Sequence, residues 1–225
     1  MHRFPFPLYH GTSSIFIPSI IDLGLGGHDP VAASGGVECL KRLLLLADRH
    51  LSSNDSWQIE RPTLEAMCQQ RVTNGNMNFR HGTIYVSPAR DTAVQYALTN
   101  SHGSELLSSC INVYKQLKKT NESLVAFVEI DFPEIASLAL SMSVPILIRI
   151  DGQSIASLRT EQGSDPTEQI EMMLGVGESH REDLSLFNFE LIETVPNKRL
   201  NLSRIVNWSI DDYVPKYSLE PILLR

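Results

Sequence analysis

Along residues 37–51 the apolar side chains fall at Val37, Leu40, Leu43, Leu44, Ala47 and Leu51. Spacings of three and four put them on one face, which predicts an amphipathic helix. A second helix is expected over 62–71, with Pro62 in its first turn, where a missing N–H costs little. SIIDLGLGGHDP (19–30) predicts a short helical turn and then a glycine-rich bend. VTNGNMNFRHG (72–82) has no apolar period and reads as a mobile, Asn/Gly-rich loop. After it the pattern changes. GTIYVS (82–87) predicts a short strand, and Pro88-Ala89-Arg90-Asp91 opens a helix, DTAVQYAL, with Asp91 as its cap. A further helix is expected over roughly 104–118. SLVAFVEIDF (123–132) and VPILIRIDG (144–152) are rich in β-branched and aromatic residues and predict strands. DPTEQIEMML (165–174) predicts a helix, LSLFNFELIETV (184–195) the last long strand, and NLSRIVNWSI a strand or return. At the other end, FPLYHGTS is a short strand that Pro5 and Pro7 confine to a sheet edge or a strand start.

Helices crowd the first half of this order and strands the second. The expectation is an α+β fold, one domain over residues 1–225 with a helical insertion at about 28–80. A chain of 225 residues is long enough to bury a full core. A net charge of −7 argues against a protein that coats nucleic acid nonspecifically. Lys115, Lys118 and Lys119, and likewise Lys198, Arg199 and Arg204, form local basic clusters that read as solvated faces. Cys39, Cys68 and Cys110 are scattered and read as reduced, partly buried thiols; with the histidines they form no metal-ligand pattern. Residues 1–15 lack a secretion signal, and the longest apolar run, LLLLA (43–47), cannot span a membrane. A cytoplasmic setting is expected, in the cell of origin or in a target cell.

Chemistry-bearing residues gather in two short stretches. LYHGTS (8–13) sets an aromatic ring, an imidazole, a bare backbone unit and two hydroxyls side by side. GTIYVSPARDTAVQYA (82–97) places Tyr85 on a strand and Tyr96 eleven residues later on a helix. Gly82 permits a close approach at that strand's start. If the two strands flank one cleft, His10, Tyr85 and Tyr96 converge in it. Two aromatic rings beside a glycine backbone make a slot for a flat ring bearing an amide. Singly, each of these residues is an ordinary structural one. Their order and spacing, with a late strand bearing glutamate, carry the signal. His28, His50, His81, His102 and His180 join no such pattern, though His81, beside Gly82, is placed to line a cleft.

This order resembles the ADP-ribosyltransferase superfamily, in the branch of the poly(ADP-ribose) polymerases and diphtheria-type toxins. That branch has an aromatic-His-Gly-Ser/Thr motif, then Gly-x-Tyr with a second tyrosine, then a late glutamate. Here these are Tyr9-His10-Gly11-Thr12, then Gly82-Thr83-Ile84-Tyr85 with Tyr96, then Glu190 or Glu193. Glu190 fits the family's placement better than Glu193, with Glu182 a distant third. The resemblance implies a split β-sheet core and NAD as co-substrate, with no metal. His10 would hold the nicotinamide-side ribose, Gly11 the carboxamide with Thr12 beside it, and Tyr85 and Tyr96 the two faces of the nicotinamide. Glu190, His10 and Tyr85 would form the catalytic set. Ala93 departs from the family, which commonly has a serine there on the nicotinamide amide.

Cleaving nicotinamide from ribose builds positive charge on the sugar, as in glycosidases. A carboxylate near the ribose stabilises that charge and orients the incoming nucleophile. The implied activity is mono-ADP-ribosyl transfer by a toxin or effector to a protein or nucleic acid, with a neutralising antitoxin or immunity protein as a further partner. Three alternatives stay open: an NAD glycohydrolase, an RNA 2′-phosphotransferase using arginines such as Arg149 and Arg159, and an inactive module that binds ADP-ribose or a partner.

Overall fold

Leu8, His10 and Thr12 point to one side of strand β1 (Leu8–Ser13), and Tyr9, Gly11 and Ser13 to the other. Each side of β1 meets a different neighbour. The computed structural model describes residues 3–70, 78–175, 184–211 and 214–223. The chain divides into two compact units: Met1–His28, Thr83–Gly103 and Ser143–Arg225 in one, Asp29–Gly82 and Ser104–Met142 in the other.

The first unit is built on two antiparallel sheets. In the larger, β1 pairs with β3 (Pro145–Ile150), β3 with β6 (Leu200–Asp211), and β6 with β7 (Val214–Ile222). In the smaller, β5 (Phe189–Leu191) lies between β2 (Ile84–Val86) and β4 (Leu158–Thr160). Leu8, Ile146, Ile148, Ile150, Leu200 and Leu202 of the larger sheet share one core with Val86, Leu158, Phe189 and Leu191 of the smaller. Each such side chain contributes about 1.5–3 kcal/mol of apolar burial. The opposite face of the larger sheet, through Leu147 and Ile205, packs on Ala93, Val94 and Ala97 of helix α5 (Arg90–Thr99). Helices α1 (Ile17–Leu23) and α9 (Thr167–Gly175) also belong to this unit.

The second unit is helical. It holds α2 (Pro30–Ala33), α3 (Gly36–His50), α4 (Asp55–Gln69), α6 (Glu105–Thr120), α7 (Ala126–Asp131) and α8 (Pro133–Leu140). The stripe expected along 37–51 is the buried face of α3, with Leu40, Leu43 and Ala47 fully enclosed. All three cysteines are buried, free thiols in this unit. Among the described residues no helix is long and apolar enough to cross a membrane.

Four local expectations are corrected. The helix expected from 62 begins at Asp55, because Asn54 Oδ1 accepts from the Ser56 and Trp57 amides and caps it there. Pro62 is thus inside α4 and leaves one carbonyl without its helical donor. Residues 123–132 are no strand. Their enclosed positions, Val125, Val128 and Phe132, recur at three and four, and they form a short 3-10 turn and α7. The strand expected over 184–195 contracts to Phe189–Leu191. Ala89, not Asp91, is the N-cap of α5; the Asp91 carboxylate instead accepts from the Tyr217 hydroxyl at 2.6 Å. Residues 72–77 of the expected loop, with Glu182 and His180, lie outside the described residues.

Candidate functional site

The candidate site begins where β1 and β2 part. Tyr9 and Ser87 exchange both main-chain hydrogen bonds, at 2.8 and 2.9 Å, as an isolated antiparallel bridge. Ser14 donates to the Val144 carbonyl, continuing the β1–β3 ladder in which the even-numbered residues bond to β3. Tyr9, Gly11 and Ser13 therefore aim their N–H and C=O groups at the opposite edge. Were the bridge extended, Gly11 would face Tyr85. The strands separate instead, and the Tyr85 carbonyl accepts from His10 Nδ1 at 2.8 Å. Among the described residues nothing takes the edge-directed amide and carbonyl of Gly11.

This arrangement sets the state of His10. A carbonyl only accepts, so Nδ1 carries the proton and Nε2 keeps its lone pair. Burial holds the imidazole below its ordinary pKa of 6.5, the bond to Tyr85 opposing that shift only in part. At neutral pH His10 is an uncharged ring of one tautomer, with Nε2 as an acceptor. Thr12, on the same side of β1, is buried.

Gly11 is required on packing grounds alone. A Cβ there would lie 1.9 Å from the Ala93 carbonyl oxygen and 2.9 Å from the Ala97 nitrogen, both backbone atoms of α5. Helix α5 is thus laid directly on β1, and Tyr96 sits between those two contacts in sequence, 38% exposed. Ala93 supplies backbone to Gly11, and its own side chain is buried. Gly82, expected to admit a close approach, does so to the Asp29 carboxylate, which caps α2.

Tyr85 and Glu190 are directly opposite one another in the smaller sheet, so their side chains share a face. Ile84, Val86, Phe189 and Leu191 occupy the other face, in the core. Cross-strand partners point the same way, so the Tyr9–Ser87 bridge puts Tyr85 on the side of the sheet that α5 covers. Both Tyr85 and Glu190 are half-buried. Glu193 is exposed and lies beyond the end of β5; the two glutamates do not alternate along one strand.

The structure thus ties His10 to Tyr85 by a hydrogen bond, sets Tyr85 against Glu190 by register, and lays Gly11 on the helix that carries Tyr96. One participant carried no readable signal: Ser87 closes the bridge from which the strands part. Arg159, expected only as one of two arginines available for a phosphate, lies on a strand of three residues directly opposite Glu190. Arg149, the other arginine singled out, is closed on Asp151 at 2.9 Å. Comparison with protein-family models, curated proteins and solved structures finds no match to the chain.

Proposed function

We propose that this chain is an NAD-dependent mono-ADP-ribosyltransferase whose site is the opening between β1 and β2. The observation that carries the proposal is the parting of these strands at Gly11. It leaves a main-chain donor and acceptor on a sheet edge, beside Tyr85 and an uncharged His10. A carboxamide needs that pair: one carbonyl to receive its N–H and one N–H to meet its oxygen. NAD fits the residues present, and when bound it supplies a glycosidic bond whose leaving group is nicotinamide.

The chain's own groups then divide the work. Tyr85 and Tyr96 offer ring faces for stacking. Gly11 orients the carboxamide, and its missing side chain keeps α5 close enough to present Tyr96. His10 Nε2 accepts a ribose hydroxyl, and the bond from Nδ1 to Tyr85 fixes the ring while it does so. Glu190, across from Tyr85, places a carboxylate where positive charge grows on the sugar and where an entering nucleophile must be held. The acceptor is a group on a protein or a nucleic acid, and a toxin or effector role with a neutralising partner accords with such chemistry.

Incubation with NAD labelled in its adenylate half, against cell lysate separated into protein and nucleic-acid fractions, tests this. Label in either macromolecular fraction supports transfer and names the acceptor class. Free labelled ADP-ribose alone replaces transfer with hydrolysis at the same site. Intact NAD throughout contradicts the proposal.

A further inference from the structure

The smaller sheet presents one more group in register with Tyr85 and Glu190. Arg159 on β4 lies directly opposite Glu190, so Tyr85, Glu190 and Arg159 form a single row across three strands, on the face turned from the core. Neighbouring strands stand about 4.8 Å apart, which makes the row about 10 Å long. Arg159 is half-buried. Among the described residues no carboxylate closes on it as an ion pair, although Asp165 feels its charge from farther off. Arg42, Arg61 and Arg149 behave differently, each meeting a carboxylate at 2.6–3.0 Å. A guanidinium cannot shed its charge, and its planar fork of donors matches phosphate oxygens.

We infer that Arg159 binds the diphosphate of the dinucleotide, as the third position of a row that reads the nicotinamide, its ribose and then the phosphates. The inference rests on the function proposed above. It draws its support from order: Tyr85, Glu190 and Arg159 follow one another across the sheet as nicotinamide, ribose and diphosphate follow one another along NAD. The carboxylate at the centre also gains from this arrangement. With the anionic phosphates drawn to Arg159, they are kept from the Glu190 charge that the sugar needs. Arg159 touches neither reacting atom and acts as a positioning residue.

The test is binding of NAD and of nicotinamide alone to wild-type, R159Q and R159K proteins, followed by ligand-observed NMR and by steady-state nicotinamide release. R159Q should weaken NAD binding and raise KM about 10- to 100-fold, the range for losing a charge-assisted contact, with kcat changed far less. Nicotinamide, which has no phosphate, should bind R159Q as it binds the wild type, which also shows that the site is intact. R159K should recover part of the loss. Equal NAD affinity in R159Q and wild type overturns the inference and leaves the proposed function standing. Loss of nicotinamide along with NAD in R159Q also overturns it, since Arg159 would then shape the ring pocket. A wild-type protein that binds neither molecule defeats the proposed function itself.

Discussion

The two units bury different kinds of side chain. Among the described residues, the helical unit encloses Trp57, Leu40, Leu43, Leu106, Ile111 and the cysteines, and of polar residues only Ser34 and Ser108. The sheet unit encloses His10, Thr12, Ser13, Ser87, Asn100, His102, Gln153, Ser157 and Thr160 alongside its aliphatic core. Helices satisfy their backbone internally, so an apolar interior suffices for them. Short strands that part leave main-chain groups that side chains must meet. His10 meets the Tyr85 carbonyl, Ser87 donates to the Phe187 carbonyl, and Ser157 accepts from Gln153 while donating to Ser154. A polar interior thus marks the unit whose backbone is open, and an open backbone is where a ligand can bind.

That contrast can be broken by substitution. The largest effect is expected from volume lost in the helical unit. Trp57→Ala should cost about 3–5 kcal/mol in urea denaturation, since the indole is 2% exposed. A loss under about 1 kcal/mol would show that this interior is not close-packed. In the sheet unit, the sensitive quantity is close approach instead. Gly11→Ala should cost about 3 kcal/mol, because its Cβ meets backbone that cannot swing aside. An Ala variant of wild-type stability would remove the packing reason for that glycine.

Acid gives a third test, since each unit holds a histidine whose pKa is lowered mainly by burial. His81, in the helical unit, falls to about 4 from 6.5, and among the described residues its enclosed Nε2 has no hydrogen-bond partner. Between those values the unfolded chain carries a proton that the folded chain does not. Stability is therefore complete above about pH 6.5 and declines as pH falls toward 4, by at most about 3.5 kcal/mol at about 1.4 kcal/mol per pKa unit. His81→Leu should flatten that decline, and an unchanged slope in its pH–stability profile would assign the sensitivity elsewhere. His10 contributes in the same direction. The smallest effect is expected at Ser157→Ala, about 1–2 kcal/mol by thermal melting, for the bonds that hydroxyl makes to Gln153 and Ser154. A neutral substitution there would mean that the sheet unit's buried polar groups are not what hold its open ends.

How much of this was legible depends on range. The β1 stretch was readable because a histidine and a glycine within LYHGTS contradict its otherwise ordinary strand pattern. Helix α3 announced itself by spacing alone. Misreadings arose where local composition competed with packing. Residues 123–132 have strand-like composition, yet Val125, Val128 and Phe132 turn one helical face inward. Pro62 looked like a start only because the cap at Asn54 lay eight residues upstream of it. The alignment of Tyr85, Glu190 and Arg159 was beyond reading. It depends on the register of three-residue strands drawn from distant parts of the chain, which no local pattern encodes. The same register distinguishes Glu190, within β5, from Glu193, past its end.

The most direct test of the site is nicotinamide release from NAD by wild-type, E190Q and E193Q proteins whose circular dichroism and melting temperatures agree. Removing the carboxylate opposite Tyr85 should lower the rate roughly 100-fold or more, the scale for losing one group aimed at developing charge. E193Q should turn over like the wild type. Wild-type turnover by E190Q, or loss confined to E193Q, would contradict the placement of the reaction on the row that begins at Tyr85.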